Sequence, residues 1–283
     1  HRTKAKERRN FVCLRKATGV FRQGSFFIPE KKQDELWGLY SKAAPDFTET
    51  NCPSLVYRPP LRTLQPLQID IDLRFEQSTD VPVNFHFRFA QKLAEKLVET
   101  CKQTVDFYVV SKEQGYFKQY KSANKTLFTN GAHLYFSNIR IPKRVARDIK
   151  KYAESICLEF YGSLQPVNPP ADIIDRAIIE RSNGLMLIGT FKAPGTGGRY
   201  MLKQMGSVSK NGDVRETNLQ RETMFDQLTS IMTHTYKFVW EQPQNGDEPD
   251  EVEEKAQPKP APQKARKHVA TVKLPFNLKK FLE

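Results

Sequence analysis

The stretch that most constrains the fold is residues 67–75, LQIDIDLRF, in which apolar and polar side chains alternate. Successive side chains of a β-strand point to opposite faces of a sheet, so this alternation predicts a strand at 68–74 with one buried face and one polar face. Ile69 and Ile71 then pack behind the strand, while Asp70 and Asp72 project together from its other face. A strand that served only for burial would not carry two acids, which makes this pair a candidate functional site.

Strands and helices alternate along the rest of the chain. Apolar residues at helical spacing predict helices at 32–42, at 87–101 and, between a Pro and a Gly, at 142–162. Runs rich in β-branched and aromatic residues predict strands at 105–111 and 132–136. Three further runs have strand length: IIDRAII (173–179), GLMLIG (184–189) and RYMLKQM (199–205). A helix at 218–232 and a strand at 236–240 complete the predicted elements.

Composition narrows the class of protein. The 283 residues carry a formal net charge of +13, which favours a polyanionic partner. No run of eighteen apolar residues exists, and the N-terminal HRTKAKERRN lacks the apolar stretch of a secretory signal, so we expect a soluble, unsecreted protein without a membrane partner. The four cysteines form no CxxC pair, so we expect reduced thiols and no zinc site.

The C-terminal region changes abruptly in composition. Residues 242–268 are first acidic and then basic and Pro-rich, as in a disordered linker. Residues 269–283 are too few for a domain, so we expect them to begin a further region. Because the chain also starts at His1 rather than Met, we expect a piece of a larger protein, in which residues 1–241 form the folded domain.

Asp70 and Asp72 have Cα atoms roughly 7 Å apart in a strand, close enough to share divalent cations such as Mg²⁺, which prefer oxygen ligands. A two-metal centre generally needs a further carboxylate. We prefer Asp175, which lies in an apolar run, over Asp172, which stands beside a Pro loop where a turn or cap role is expected. Such an acid pair also occurs on solvated strands and in sugar-nucleotide transferases.

Three further residues could contact phosphate. His133 follows a Gly within a predicted strand, where it is either a core histidine or a donor to a phosphate oxygen. Lys192 is the only cation in a Gly-rich, apolar stretch and is either a phosphate ligand or a surface residue. Arg74 is either a phosphate ligand or a charge partner for the two acids. The loop APGTGG is not followed by Gly-Lys-Ser/Thr, so no ATPase is predicted.

Basic residues interleave with aromatic ones at 116–125, where lysines could follow a nucleic-acid backbone and rings could stack on unpaired bases. The residues that we expect to bind nucleic acid are Lys118, Lys121, Lys125 and Arg199. A second basic cluster, at 143–151, is equally well explained as a solvated helix face.

The order of the motifs carries a resemblance. IDIDLRF, then GAHLYF some sixty residues later, then IIDRAII and GLMLIGTFKAPGTGGRYML, resembles the catalytic core of archaeo-eukaryotic-type primases over about residues 65–205. It looks most like the N-terminal primase domain of the D5-like primase-helicases of nucleocytoplasmic large DNA viruses, and in detail like the asfarvirus version. The resemblance implies an α+β fold in which an RRM-like sheet carries the acids and packs on an N-terminal αβ unit.

The resemblance also implies residue roles: Asp70, Asp72 and Asp175 bind two Mg²⁺ or Mn²⁺ ions, and His133 contacts the phosphates of the incoming NTP or dNTP. It implies a single-stranded DNA template, a helicase domain further along the same polypeptide, and a viral replication site inside the cell, in a host cytoplasmic factory. Two departures stand out. Gly131 occupies a position that is Ser in many members, and a zinc-binding knuckle common in relatives is absent from the sequence.

We therefore expect a DNA primase domain that works by two-metal nucleotidyl transfer. The first alternative is a polymerase that extends primers but cannot start chains. The second is a non-catalytic module that binds single-stranded DNA in a replisome.

Overall fold

The structure, a computed structural model, describes residues 11–14, 24–26, 28–29, 32–52, 54–57, 64–120, 124–175, 178 and 184–218. The predicted helix at 218–232, except for its first residue, lies outside these ranges. So do the predicted strand at 236–240, the linker and the tail. None of the helices in the described ranges is both long and apolar enough to cross a lipid bilayer.

The described residues form two sheets with helices packed on them. The strands are β1 (Phe11–Cys13), β2 (Gly24–Phe26), β3 (Leu55–Tyr57), β4 (Leu64–Phe75), β5 (Val105–Lys112), β6 (Tyr116–Tyr120), β7 (Lys125–Pro142), β8 (Leu185–Met186), β9 (Tyr200–Val208) and β10 (Val214–Asn218). The α-helices are α1 (Gln33–Ala43), α2 (Val83–Cys101), α3 (Lys143–Tyr161) and α4 (Pro170–Ile173). Short 3-10 helices follow α1 at Ala44–Asp46 and α3 at Gly162–Leu164.

The larger sheet has the strand order β10-β9-β5-β7-β4, with β6 paired to the N-terminal part of β7, and its pairings are antiparallel. One face is apolar because alternate residues of β4, among them Ile69, Ile71 and Leu73, point to it and are buried. This face forms one core with the apolar sides of α2 and α3, to which Phe89, Leu93 and other helix residues contribute.

The smaller sheet covers part of the opposite face. Its strands run in the order β2-β1-β3-β8 and are antiparallel. Together with α1 it forms a second core that includes Trp37 of α1 and also Tyr135 of the larger sheet. The Tyr135 hydroxyl donates a hydrogen bond to the carbonyl of Met186, at 3.1 Å, which ties the two sheets together. Beyond this contact the polar face of β4 stays open to a cavity.

The mixed α+β class is confirmed, as are the helices near 32–42, 87–101 and 142–162 and the strands at 68–74, 105–111 and 199–205. The strand predicted at 132–136 is part of the much longer β7. The unit that packs on the larger sheet is N-terminal except for β8, which the chain adds from residues 185–186.

The strand predicted at 173–179 does not form in the part of this run that the structure describes, residues 173–175 and 178. Ile173 ends α4, Ile178 is helical, and Ile174 makes only an isolated bridge with Ile71. Ile173 and Ile174 are fully buried in the first core, so their apolar character reflects burial rather than strand pairing. The run at 184–189 forms only the two-residue β8, because the chain turns at Gly189, where φ is 86°.

Candidate active site

The acid pair lies on the open face of β4. Asp70 pairs in register with His133 of β7, and Asp72 pairs with Gly131. The buried residues between the acids hold both carboxylates on one side of the strand, as the alternation predicts. Arg74 projects from the same side, and its Nε and Nη2 donate hydrogen bonds to Asp72 Oδ2 at 3.1 and 2.9 Å. Arg74 is therefore the charge partner of Asp72 in this structure.

A backbone hydrogen bond holds Asp175 beside the acid pair. β4 is an edge strand, and its edge is paired by the chain after α4: Ile174 bridges Ile71, and the Asp175 N–H donates to the Asp70 carbonyl at 3.0 Å. The Asp175 carboxylate is one of the groups that raise the pKa of Asp70. Asp172 lies further out, with its side chain 56% exposed and Oδ2 3.7 Å from Arg74 Nη1.

Burial, followed by repulsion from Asp72 and then Asp175, raises the pKa of Asp70 from 3.8 to about 7. Nearby Lys192 and Lys112 act in the opposite direction but do not cancel this effect. About a quarter of the Asp70 side chain is exposed, and that part faces the cavity. A cation bound beside Asp70 would relieve the repulsion that Asp72 and Asp175 exert on its charged form.

The His133 ring is held between the acid and an aromatic residue. Its Nε2 lies 3.6 Å from Asp70 Oδ1, and its ring stacks on Tyr200 with centroids 4.5 Å apart. Burial, then Lys192 and Lys112, lower the pKa of His133 to about 3, so the imidazole is neutral near pH 7. Its Nδ1 is buried and has no hydrogen-bond partner among the described residues.

Lys192 lies on the Gly-rich loop that follows β8 and borders the cavity. Its backbone is fixed because the buried Ser54 hydroxyl donates to the carbonyls of Phe191 and Lys192 at 2.7 and 3.1 Å. The loop also needs glycine at Gly197, where φ is 84° and a Cβ would lie 2.1 Å from the Gln114 carbonyl oxygen. The exposed Lys192 side chain is thus carried by a well-positioned loop.

The structure also explains why position 131 is a glycine. A Cβ at this position would lie 1.9 Å from the carbonyl oxygen of Ile71, so the close approach of β7 to β4 requires glycine. A serine here would force the two strands apart beside the acids. The hydroxyl that many relatives carry at this position therefore cannot be restored in this backbone.

These side chains border a single cavity with a volume of about 680 Å³. Asp70, Asp72, Asp175, His133 and Lys192 all line it, as do Arg74 and Lys118 from the predicted set. Walls from the smaller sheet, including Val56 and Leu185, close the cavity on the other side.

Two of the remaining residues that were predicted to bind nucleic acid do not line this cavity. Lys125 is exposed at the start of β7, with Nζ 3.5 Å from Glu76 Oε1, and Lys121 lies outside the described residues. Arg199 is buried, and its guanidinium donates to the carbonyls of Ala44, Pro45 and Phe47. The expectation that Arg199 contacts nucleic acid is therefore corrected: its position gives it a structural role, joining the Gly-rich loop to the chain after α1.

The donor set fits a hard divalent cation, because Asp70, Asp72 and Asp175 offer carboxylate oxygens and a cation would relieve the repulsion that Asp72 and Asp175 exert on Asp70. Within the described ranges, no three His, Cys, Asp or Glu side chains are already gathered closely enough to hold a metal. Asp72 Oδ2 faces Arg74 instead. Metal binding would thus require the carboxylate side chains to move closer together.

The sequence analysis missed Lys112 and Tyr200 as cavity residues. Lys112 ends β5 and its Nζ lies 3.9 Å from the Tyr116 ring centroid and 5.3 Å from that of Tyr200. Burial, then Lys192 and Lys118, lower the pKa of Lys112 to about 7. The available signal was weak: a single Lys directly after the predicted strand at 105–111.

Comparison with known proteins finds a match over the part of the chain that carries this site. A search of curated proteins finds no match to this sequence. The family model of the C962R protein N-terminal AEP domain, where AEP stands for archaeo-eukaryotic primase, matches residues 18–205. This is more than half of the chain and includes every acid of the site. The match confirms the resemblance to archaeo-eukaryotic-type primases, and the chain belongs to the C962R N-terminal AEP domain family.

Proposed function

We propose that the chain is a template-directed nucleotidyltransferase, a DNA primase domain that joins nucleotides into primers on single-stranded DNA. The observation that carries this proposal is the arrangement of Asp70, Asp72, Asp175, His133 and Lys192 around one cavity in a chain of the AEP domain family. Acids and cations dominate the site, as expected where catalysis consists of positioning and charge neutralisation.

The three carboxylates would hold two Mg²⁺ or Mn²⁺ ions. When bound, such ions supply activation of the primer 3′-hydroxyl and neutralisation of the departing pyrophosphate. Neutral His133 donates an N–H to a phosphate oxygen of the incoming NTP or dNTP without adding charge to the site. Lys192 contributes a positive charge to the same phosphates from the Gly-rich loop. Arg74 orients Asp72 and, when released from it, could reach a phosphate.

The hairpin of β6 and β7 would bind the template strand. Tyr116, Lys118 and Tyr120 share one face of β6, and Lys118 Nζ lies 4.7 Å from the Tyr120 ring centroid. Phe117 points the other way and is 56% exposed although it belongs to a strand. Exposed rings next to lysines provide stacking surfaces for unpaired bases and charge for the backbone. Lys125 extends the same positive hairpin beyond the cavity.

In this proposal the larger sheet is the RRM-like sheet of the primase fold, and residues 1–241 are the catalytic domain. Residues 242–268 are a linker and residues 269–283 begin a further region, which would lead to a helicase domain in a D5-like, asfarvirus-type primase-helicase. The protein would then act at a viral replication site in the host cytoplasm.

Primer-free synthesis tests this function. The protein is incubated with circular single-stranded DNA, Mg²⁺ or Mn²⁺, and labelled NTPs or dNTPs, with and without an annealed primer. Products without a primer support a primase, and products only with a primer support the extending polymerase. No product under either condition, with DNA binding intact, supports the non-catalytic module.

Replacing the acids tests their role. Asp70→Ala combined with Asp72→Ala should abolish synthesis but leave DNA binding unchanged, because the template surface lies on the β6–β7 hairpin. The exposed Asp148 of α3 provides the control, and Asp148→Ala should retain wild-type synthesis. Unchanged synthesis in the double variant would contradict the metal assignment.

Replacing the loop lysine tests the phosphate contact. Lys192→Ala should raise the nucleotide KM or weaken template binding, since it removes a cation from the cavity without altering the buried backbone contacts of Ser54. Wild-type kinetics for this variant would remove Lys192 from the site.

A further inference from the structure

A second lysine borders the cavity and was not expected there. Lys112 is the last residue of β5, in register with Tyr200 of β9, while its neighbour Ser111 pairs with Ala132 of β7. The lysine therefore lies two strands away from the acids of β4, on the same open side of the sheet. A residue carried by a central strand is positioned more rigidly than one on a loop such as Lys192.

Two aromatic rings hold the Lys112 ammonium. Its Nζ lies 3.9 Å from the Tyr116 ring centroid and 5.3 Å from that of Tyr200. The ring faces attract the cation but do not neutralise it. Among the described residues, no carboxylate lies within ion-pair distance of this ammonium. Asp72 and Asp70 attract this half-buried ammonium from further away, but it makes no direct ion pair in the part of the chain that the structure describes.

The surrounding charges make an anion the expected partner. Lys192 and Lys118 each repel Lys112 more strongly than Asp72 or Asp70 attracts it, and Arg74 is paired with Asp72. Partly buried cations are normally balanced by an anion, and this lysine group lines the same cavity as the acids. A chain of phosphates would supply such an anion.

We propose that Lys112 binds the β- or γ-phosphate of the incoming nucleoside triphosphate together with Lys192, an inference that rests on the proposed nucleotidyl transfer. Lys112 acts as a binding and positioning residue from the strand β5.

The test is nucleotide affinity as a function of phosphate number. Dissociation constants for ATP, ADP and AMP are measured with Mg²⁺ and without template for the wild type, Lys112→Met and Lys112→Arg. Methionine retains the apolar stem between the two rings and removes the charge. Lys96→Met, on the exposed side of α2, is the matched control.

A lysine–phosphate contact in a partly buried site is worth on the order of tenfold or more in affinity. Lys112→Met should therefore weaken ATP binding about tenfold or more, weaken ADP binding less, and leave AMP binding within about twofold of wild type. Lys112→Arg should recover part of the loss, and Lys96→Met should match wild type. Equal losses for all three nucleotides, or no loss for ATP, would overturn the proposal.

A measurement on the wild-type protein covers the case in which Lys112→Met does not fold. Inorganic tripolyphosphate should protect Lys112 from reductive methylation, read by mass spectrometry, while Lys96 stays reactive. Equal modification of Lys112 with and without tripolyphosphate would refute the contact.

These assays need no synthesis, so they separate this inference from the proposed function. If the wild type makes no product but binds ATP through Lys112, the phosphate contact is supported and the primase function is refuted. If the wild type makes primers but Lys112→Met binds ATP with wild-type affinity, the primase function is supported and the Lys112 contact is refuted.

Discussion

Replacing Asp70 by Asn should stabilise the metal-free protein at neutral and alkaline pH. In the folded state the Asp70 carboxylate is buried and faces Asp72 and Asp175, which raises its pKa from 3.8 to about 7. In the unfolded chain the same group ionises near its ordinary pKa. As the pH rises from about 4 to 7, the unfolded state loses this proton first, so the folded state becomes relatively less stable. Asparagine has nearly the same shape and no charge, and it removes this penalty.

The expected gain in the free energy of unfolding follows from the size of the pKa shift of Asp70. A shift of about three pKa units corresponds to about 4 kcal/mol, at 1.4 kcal/mol for each unit. A quarter of the Asp70 side chain faces the cavity, where water screens the charge and lowers the value. We expect Asp70→Asn to raise the free energy of unfolding by about 2–4 kcal/mol at pH 8 and by almost nothing at pH 3.5.

The assay is urea unfolding in EDTA, followed by circular dichroism at several values between pH 3.5 and pH 8. Subtracting the free energy of unfolding of the wild type from that of the variant cancels the pH dependence of most titratable groups that both proteins share. Asp148→Asn, on the exposed side of α3, is the control and should follow the wild-type profile. Added Mg²⁺ should stabilise the wild type more than Asp70→Asn, because the cation binds the ionised carboxylates.

One result would refute this reasoning. If Asp70→Asn is no more stable than wild type at pH 8, the three carboxylates do not repel one another in the folded protein. The charge cluster on which the proposed metal site depends would then be absent in solution.

Three further substitutions test other features. Arg199→Met should lower the free energy of unfolding by about 3 kcal/mol or more in urea, since three backbone carbonyls lose a charged donor; a loss below about 1 kcal/mol would refute its structural role. Gly131→Ala should destabilise the protein by about 3 kcal/mol or prevent folding, because its Cβ would clash with the Ile71 carbonyl, and an unchanged melting temperature would contradict this. Burial lowers the pKa of His86 from 6.5 to about 4, so wild type should lose stability as the pH falls through this interval. His86→Gln should show a flatter pH profile of urea unfolding there, and parallel profiles would exclude His86 as the cause.

Much of the site could be predicted because strand periodicity is local. The alternation at 67–75 was enough to place Asp70 and Asp72 on one face of β4, with apolar residues on the other. The sequence pattern also indicated the helices that cover the apolar face. Asp175 was chosen for its apolar surroundings, and it does lie beside Asp70, although the strand assumed around it does not form.

Other features of the site depend on which strands become neighbours. Lys112 joins the cavity only because β5 lies between β7 and β9, and Arg199 is buried only because the Gly-rich loop folds against the chain after α1. Nothing within a few residues of either position distinguishes a surface cation from these two environments.

The sequence by itself determined the class of fold and the direction of the acid pair, since backbone geometry sets side-chain direction within a strand. Only the tertiary structure decided that Asp175 reaches Asp70 through the edge of β4 and that His133 stacks on Tyr200. It likewise decided that Lys112 faces the cavity while Arg199 does not. These outcomes depend on strand order and loop closure over long sequence separations, which local periodicity does not encode.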